Sequence, residues 1–282
     1  MRIRTVDAFA VRPYTGNPAA VVLFDSGPFP EDGRLQTLAA EMNLAETAFA
    51  HPLPDDPEAD WALRWFTPVN EVDLCGHATV ATAHVLSEDG HAKPGEPVRF
   101  RTRSGVLSAT ARPCGDIALD FPTSEPTPVE VPAALAAALT AALGTEATAA
   151  YDTAPMDFLL VELADEAAVR GLTPDLTAVA ALDWPALIVT ARAAGASSAD
   201  GGAYDFVSRV FAPRQGIPED PVTGSAHTAL APLWSARLGS DRLTGLQASA
   251  RSGYVRTELR GERTLLTGSA VTVLDAELRT EL

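Results

Sequence analysis

Arg64-Trp65-Phe66-Thr67-Pro68, followed by Gly76-His77-Ala78-Thr79-Val80-Ala81-Thr82-Ala83, is the stretch that decides the fold, because its punctuation returns later in the chain. In the second half, Arg209-Val210-Phe211-Ala212-Pro213 precedes Gly224-Ser225-Ala226-His227-Thr228-Ala229-Leu230-Ala231. Both read R-x-F-x-P, a loop, then G-x-A-x-x-A-x-A. The alanines alone would mean nothing in a chain so rich in alanine. The shared strand signature and the glycine-started helix point to duplication. Each helix is apolar nearly all round, and such a helix belongs in a core. The expected architecture is α+β: two pseudo-symmetric lobes, each a curved, mostly antiparallel sheet wrapped around a central helix.

Working outward, Arg2 to Val11 and Ala19 to Phe24 read as two strands of a hairpin whose tip carries Gly16-Asn17-Pro18. Leu35, Leu38, Ala39 and Met42 follow helical spacing, and that helix is expected to end near Asn43. Glu46 to Ala50 and Ala62 to Phe66 read as strands. Four prolines between Pro122 and Pro132 read as a linker, which places the first lobe at 1–122 and the second at 123–267. Beyond it, Pro132 starts a helix that Gly144 ends. Met156 to Leu163 and Ala186 to Ala191 are expected strands, with a helix capped at Thr173-Pro174 between them.

The 282 residues, 46% of them hydrophobic, suffice for a large core. With 37 acidic and 21 basic residues the net charge is -16, which removes the electrostatics that drive nucleic-acid binding. Cys75 and Cys114 form no C-x-x-C pair, so neither a disulfide framework nor a zinc cluster is expected. The opening residues lack the pattern of a secretory signal, and no run is long enough to span a membrane. These features lead to the expectation of a cytoplasmic protein with no nucleic-acid or membrane partner.

The chemistry is expected at the two helix starts. The first N–H groups of a helix lack intrahelical partners and lie at the positive end of its dipole, which suits a carboxylate. Gly76 and Gly224 permit close approach of a ligand, and His77 and Ser225 add side-chain donors. Taken alone, Thr223-Gly224-Ser225 is an ordinary cap, and the repeat is what raises it above that. Asp220 lies on the loop Pro218-Glu219-Asp220-Pro221, where it is equally suited to an Asx-turn or to holding a substrate hydroxyl or amine. Glu46 is singled out only by its setting, Met42-Asn43-Leu44-Ala45-Glu46-Thr47-Ala48-Phe49.

Four motifs give this chain its likeness to a known family. They are Asp7-Ala8-Phe9 through Gly16-Asn17-Pro18-Ala19-Ala20-Val21; Met42 through Phe49; Phe66-Thr67-Pro68 through Cys75-Gly76-His77-Ala78-Thr79; and Glu219-Asp220-Pro221-Val222-Thr223-Gly224-Ser225-Ala226-His227. In these the chain resembles the PhzF-like (phenazine biosynthesis) isomerases over nearly its whole length. The resemblance implies a diaminopimelate-epimerase-like fold, a homodimer, and a last strand at about 268–282 that returns to the first lobe. It further implies catalytic roles for Glu46, His77, Asp220 and Ser225, with Glu46 moving a proton within a dihydro-hydroxyanthranilate-like ring. Asn17, Cys75, Gly76, Ala78, Thr223, Gly224 and Ala226 are the accompanying candidates for contact with a small carboxylate substrate. No cofactor or metal is called for. One departure is Tyr254, which follows Gly253 where the family suggests arginine.

Two other readings stay open. A two-base racemase or epimerase of the same fold places a cysteine before each helix-start glycine; here those positions hold Cys75 and Thr223, and a threonine hydroxyl is no general base near neutrality. A binding protein that keeps the site without the reaction is the other, and the presence of Glu46 and Asp220 weighs against it. The alternation of Asp73, Cys75 and His77 is weak evidence for metal, and His84 and His227 are expected on helices without chemistry.

Overall fold

A computed structural model describes residues 1–195 and 202–280. The chain forms two compact units, Met1–Phe121 with Thr267–Leu282, and Pro122–Leu266. Among the described residues no helix is long and apolar enough to cross a membrane.

The first unit runs β1 (Arg2–Ala8), β2 (Asn17–Leu23), α1 (Asp32–Met42), β3 (Glu46–Pro52), β4 (Trp61–Phe66), β5 (Glu71–Val72), α2 (Gly76–Glu88), β6 (Pro97–Thr102), β7 (Gly105–Ala111) and β8 (Ile117–Pro122). The second runs β9 (Thr127–Pro128), α3 (Ala133–Leu143), β10 (Ala149–Thr153), β11 (Phe158–Glu162), α4 (Glu166–Gly171), α5 (Leu176–Ala180), β12 (Leu187–Arg192), β13 (Phe206–Ala212), β14 (Ile217–Asp220), α6 (Ala226–Leu238), β15 (Arg242–Gln247), β16 (Gly253–Arg260) and β17 (Arg263–Gly268). A final strand, β18 (Ala270–Glu277), pairs antiparallel with β1. The last two positions of the expected returning strand, 281 and 282, lie outside the described residues.

The duplication extends to the connectivity. In the first unit β1–β2 is antiparallel, β2–β3 parallel, β3–β4 antiparallel, β4–β5 antiparallel, β4–β6 parallel and β6–β7 antiparallel. In the second, β10–β11, β11–β12, β12–β13, β13–β14, β13–β15 and β15–β16 repeat that order of directions one for one. The R-x-F signature has a physical reason in each copy. Arg64 on β4 grips Glu71 on β5 through two hydrogen bonds of 2.7 and 2.6 Å and lies 5.1 Å from the Phe66 ring centre. Arg209 on β13 grips Glu219 on β14 at 2.7 and 2.9 Å and lies 5.0 Å from the Phe211 ring centre. A bidentate pair of this kind fixes direction as well as distance. In both units it ties the strand to the loop that leads into the central helix.

Strand alternation divides the second core. Leu159, Val161, Leu187 and Val189 face the cluster that includes α3, α4 and α5 residues, whereas Leu160 and Ile188 face α6 with Leu230 and Trp234. In the first unit Ala20, Val22 and Phe49 pack with Leu35, Leu38 and Ala39 of α1. The alanine-rich central helices are buried as their composition demands: Gly76 to Ala83 of α2 and Ala226 to Ser235 of α6 are all removed from solvent.

Local expectations are corrected in four places. β1 stops at Ala8 and β2 begins at Asn17, so the hairpin tip is longer. Pro122 ends β8, and Thr127–Pro128 pairs with β10, so the proline-rich stretch is partly sheet. The helix assigned to Thr173-Pro174 is two short helices, capped by Asp165 and Asp175 carboxylates that accept the free N–H groups of their first turns. The second central helix begins at Ala226, with Gly224 outside it; His227 and Thr228 bond back to the Gly224 and Ser225 carbonyls in a tightened turn.

Candidate active site

In the first unit the expected residues converge on the start of α2. Ala19 of β2 is the register partner of Glu46 in the parallel β2–β3 pair, so Asn17, Ala19 and Glu46 share one sheet face. His77 enters from the first turn of α2. Its Nε2 lies 3.0 Å from Glu46 Oε2, with both side chains about one-tenth exposed or less. The two atoms are close without meeting hydrogen-bond alignment, so the contact acts mainly through charge. On its other side, His77 Nδ1 lies 3.2 Å from Asn17 Nδ2 and 3.5 Å from Cys75 Sγ. An amide N–H donating to Nδ1 puts the proton of a neutral ring on Nε2, toward Glu46.

The electrostatics follow from this crowding. Burial opposes a charged imidazolium, but negative charge beside the ring, from Cys75 when it is ionised and from Glu46, outweighs it and raises the His77 pKa well above the ordinary histidine value. Burial, reinforced by the charge of Glu46, pushes the Cys75 thiol up. Cys75 is thus harder to ionise than an ordinary thiol, and the helix terminus does not activate it. Asn17 is fully buried against His77, which it orients. Gly16 makes that position possible: its φ is +67°, and a Cβ there would fall 2.2 Å from the Ala8 carbonyl oxygen.

Glu46, Cys75 and His77 bring one ligand atom each within 4.8 Å of one another. A soft divalent ion takes such donors, yet His77 presents Nδ1 to Cys75 and Nε2 to Glu46, so no single ring lone pair serves both.

The second unit brings together Asp220, Thr223, Gly224 and Ser225. Asp220 ends β14, and Val210 is its register partner on β13. The Thr223 hydroxyl donates to the Asp220 carboxylate. Ser225 occupies the position before α6 without a side-chain capping bond, and Ala226 is buried behind it. His227 is fully buried; its Nδ1 donates to the Thr223 carbonyl at 2.9 Å, and burial lowers its pKa to about 4. It lies on its helix as a neutral brace. His84 likewise sits on α2, bonded to Thr272 at 3.1 Å. Tyr254, at the position of the expected arginine, packs against Tyr204 with ring centres 6.5 Å apart.

Sequence reasoning missed two supports. Ser104 donates to the Asp73 carbonyl at 2.7 Å, and Ser249 donates to the Pro221 carbonyl at 2.7 Å, so each unit pins its pre-helix loop with an equivalent serine. Gln247 holds Thr223 in the same loop. The signal was available: Arg64 to Ser104 and Arg209 to Ser249 are equally spaced, so the repeat runs on through the strand after each helix.

Comparison with known proteins places this geometry in context. The sequence profile of a family described as Phenazine biosynthesis-like protein matches residues 6–276. An uncharacterized isomerase of Pseudomonas aeruginosa is 44% identical over 285 residues, covering 99% of this chain and 98% of the relative. The crystal structure of a phenazine biosynthesis protein PhzF family member from Enterococcus faecalis superposes with a TM-score of 0.86 at 38% identity, covering 98% of this chain and 99% of that one. A predicted epimerase from Pseudomonas aeruginosa shares the fold at 21% identity, with a TM-score of 0.77 and 99% of each chain covered. The fold is the diaminopimelate-epimerase-like α+β fold.

Proposed function

The chain belongs to the phenazine biosynthesis-like protein family, and on that premise we propose that it is an isomerase that needs no cofactor and moves a proton through one base, Glu46. The substrate class is a small unsaturated cyclic or amino carboxylic acid. Glu46 removes a proton from carbon, the electron pair spreads into the adjacent unsaturated system, and the same carboxyl group returns the proton to a second carbon. The double bond shifts and no electrons are gained or lost. His77, 3.0 Å from Glu46, holds the carboxylate in place for the transfer. In each unit, the backbone N–H groups ahead of the central helix, Gly76 to Ala78 and Gly224 to Ala226, are of the kind that suits a carboxylate. Asp220 and Ser225 take the remaining roles that the family likeness suggests, holding substrate hydroxyl or amine and carboxylate. The same likeness leads us to expect a homodimer in the cytoplasm.

The observation that carries the one-base reading is an asymmetry between the repeats. Glu46 opens β3 beside His77, whereas the matching position of the second unit, one residue before the Leu187 that pairs with Phe211 as Thr47 pairs with Phe66, is Ala186. Thr223, which stands where Cys75 stands in the first unit, already donates its hydroxyl to Asp220. At the two positions that match Glu46 and Cys75, the second unit therefore offers no base. In a two-base epimerase both sides must take and give a proton.

The test is proton NMR in deuterated water with a dihydro-hydroxyanthranilate and with cyclic imino acids as substrates. A shifted double bond supports the proposal, and with Cys75→Ser the turnover persists. Exchange at a stereocentre with no double-bond shift, abolished in Cys75→Ser, would replace it with epimerisation.

A further inference from the structure

Gln247 ends β15 and has no solvent exposure. Its side-chain carbonyl accepts the Thr223 backbone N–H at 2.8 Å, and its amide donates to the Asp220 carbonyl at 2.7 Å and to the Thr223 hydroxyl at 3.1 Å. The amide cannot be turned round, because that would set N–H against N–H and oxygen against oxygen. With Gln247 donating to it, the Thr223 hydroxyl must send its own hydrogen onward, and it does so to the Asp220 carboxylate. A directed chain results, from Gln247 through Thr223 to Asp220, and such chains strengthen each link.

The first unit shows that this is an addition to the fold. There the matching serine, Ser104, makes the matching loop bond, but the position equivalent to Gln247 is Thr102, whose hydroxyl donates at 2.8 Å to the Gly105 carbonyl in its own turn. The shared fold thus needs the serine only. The glutamine is present on the side that carries Asp220, and His227 adds a second brace to the same Thr223 peptide at 2.9 Å.

We propose that Gln247 is a positioning residue that fixes the Asp220 carboxylate for the reaction, acting through the Thr223 hydroxyl. The proposal rests on the isomerase reading above. Two variants of the full chain separate its parts. Gln247→Met removes the clamp, and Thr223→Val removes only the hydroxyl link. In Gln247→Met, amide exchange at Val222 to Ser225 should rise by about tenfold or more while the interior of α6 keeps its protection, as expected for losing a buried bond. Turnover of the dihydro-hydroxyanthranilate should fall at least about tenfold in kcat with KM altered by less than about threefold, the mark of a transition-state rather than a binding loss.

Thr223→Val should show the same fall in kcat with no change in amide exchange, and the double variant should be no worse than Gln247→Met. Wild-type kcat in Thr223→Val, additive losses, or unchanged exchange in Gln247→Met would each overturn the proposal. If Gln247→Met does not fold, Thr223→Val decides it by the same kcat criterion. If the wild-type protein leaves the acid unchanged, the isomerase reading fails by itself, and the clamp is judged by exchange at Val222 to Ser225.

Discussion

His77 Nε2 and Glu46 Oε2 stand 3.0 Å apart, and water reaches almost none of either side chain. The pair holds a proton donor and a proton acceptor in one small buried space. The carboxylate changes what the imidazole does with pH.

Stability should therefore carry the mark of His77. The folded protein holds the His77 proton above the range in which the unfolded chain releases it. The stabilisation is full below the ordinary histidine range and is lost as pH rises through the folded value. Thermal melting followed from mildly acid to mildly alkaline pH should show the wild-type Tm falling more steeply than that of His77→Gln. Parallel curves would contradict this.

His227 should act in the opposite sense. Its pKa is lowered from 6.5 to about 4 by burial, so between those values the unfolded chain binds the proton and the folded chain does not. Stability should then fall on acidification, by about 1.4 kcal/mol per pH unit across that window. Nitrogen NMR of the histidine rings should show His227 neutral, protonated on Nδ1 toward Thr223, until the pH nears the lower limit. A His227 titrating at the ordinary value would contradict it.

The Arg209–Glu219 clasp gives a third prediction. Arg209 also donates to the Leu172 carbonyl at 2.7 Å, so Arg209→Met strands a carboxylate and a carbonyl together. The loss should be about 2–4 kcal/mol in urea unfolding. Because Glu219 precedes Asp220, turnover should drop with it. A neutral effect on both would show that the clasp is incidental to the loop.

These contacts show how much was legible in the sequence. The repeat revealed both central helices, because a helix apolar on every side has nowhere to go but the core. The R-x-F signature was visible without its reason. Arg64 and Arg209 need Glu71 and Glu219, which lie at different distances along the chain, so spacing alone did not expose the pairing. Glu46 and His77 were each identified, but their 3.0 Å approach depends on β2–β3 register and the entry angle of α2, which no local pattern encodes. That Asn17 also lies against His77, fully buried, is likewise a matter of tertiary packing. The second helix starts two residues later than the repeat suggests, since Gly224 belongs to a tightened turn ahead of Ala226. Short helices such as α4 and α5 escaped because two aspartate caps within a dozen residues outweigh the pull of Thr173-Pro174.

The central claim is that one carboxylate carries the proton, and Glu46→Gln tests it most directly. Glutamine keeps the size of the side chain and removes the base. Followed by NMR in deuterated water with the dihydro-hydroxyanthranilate, the wild-type protein should shift the double bond, and Glu46→Gln should still bind the acid but lose turnover by about a thousandfold or more, within the range for loss of a general base. Turnover by Glu46→Gln at the wild-type rate would remove Glu46 from the mechanism.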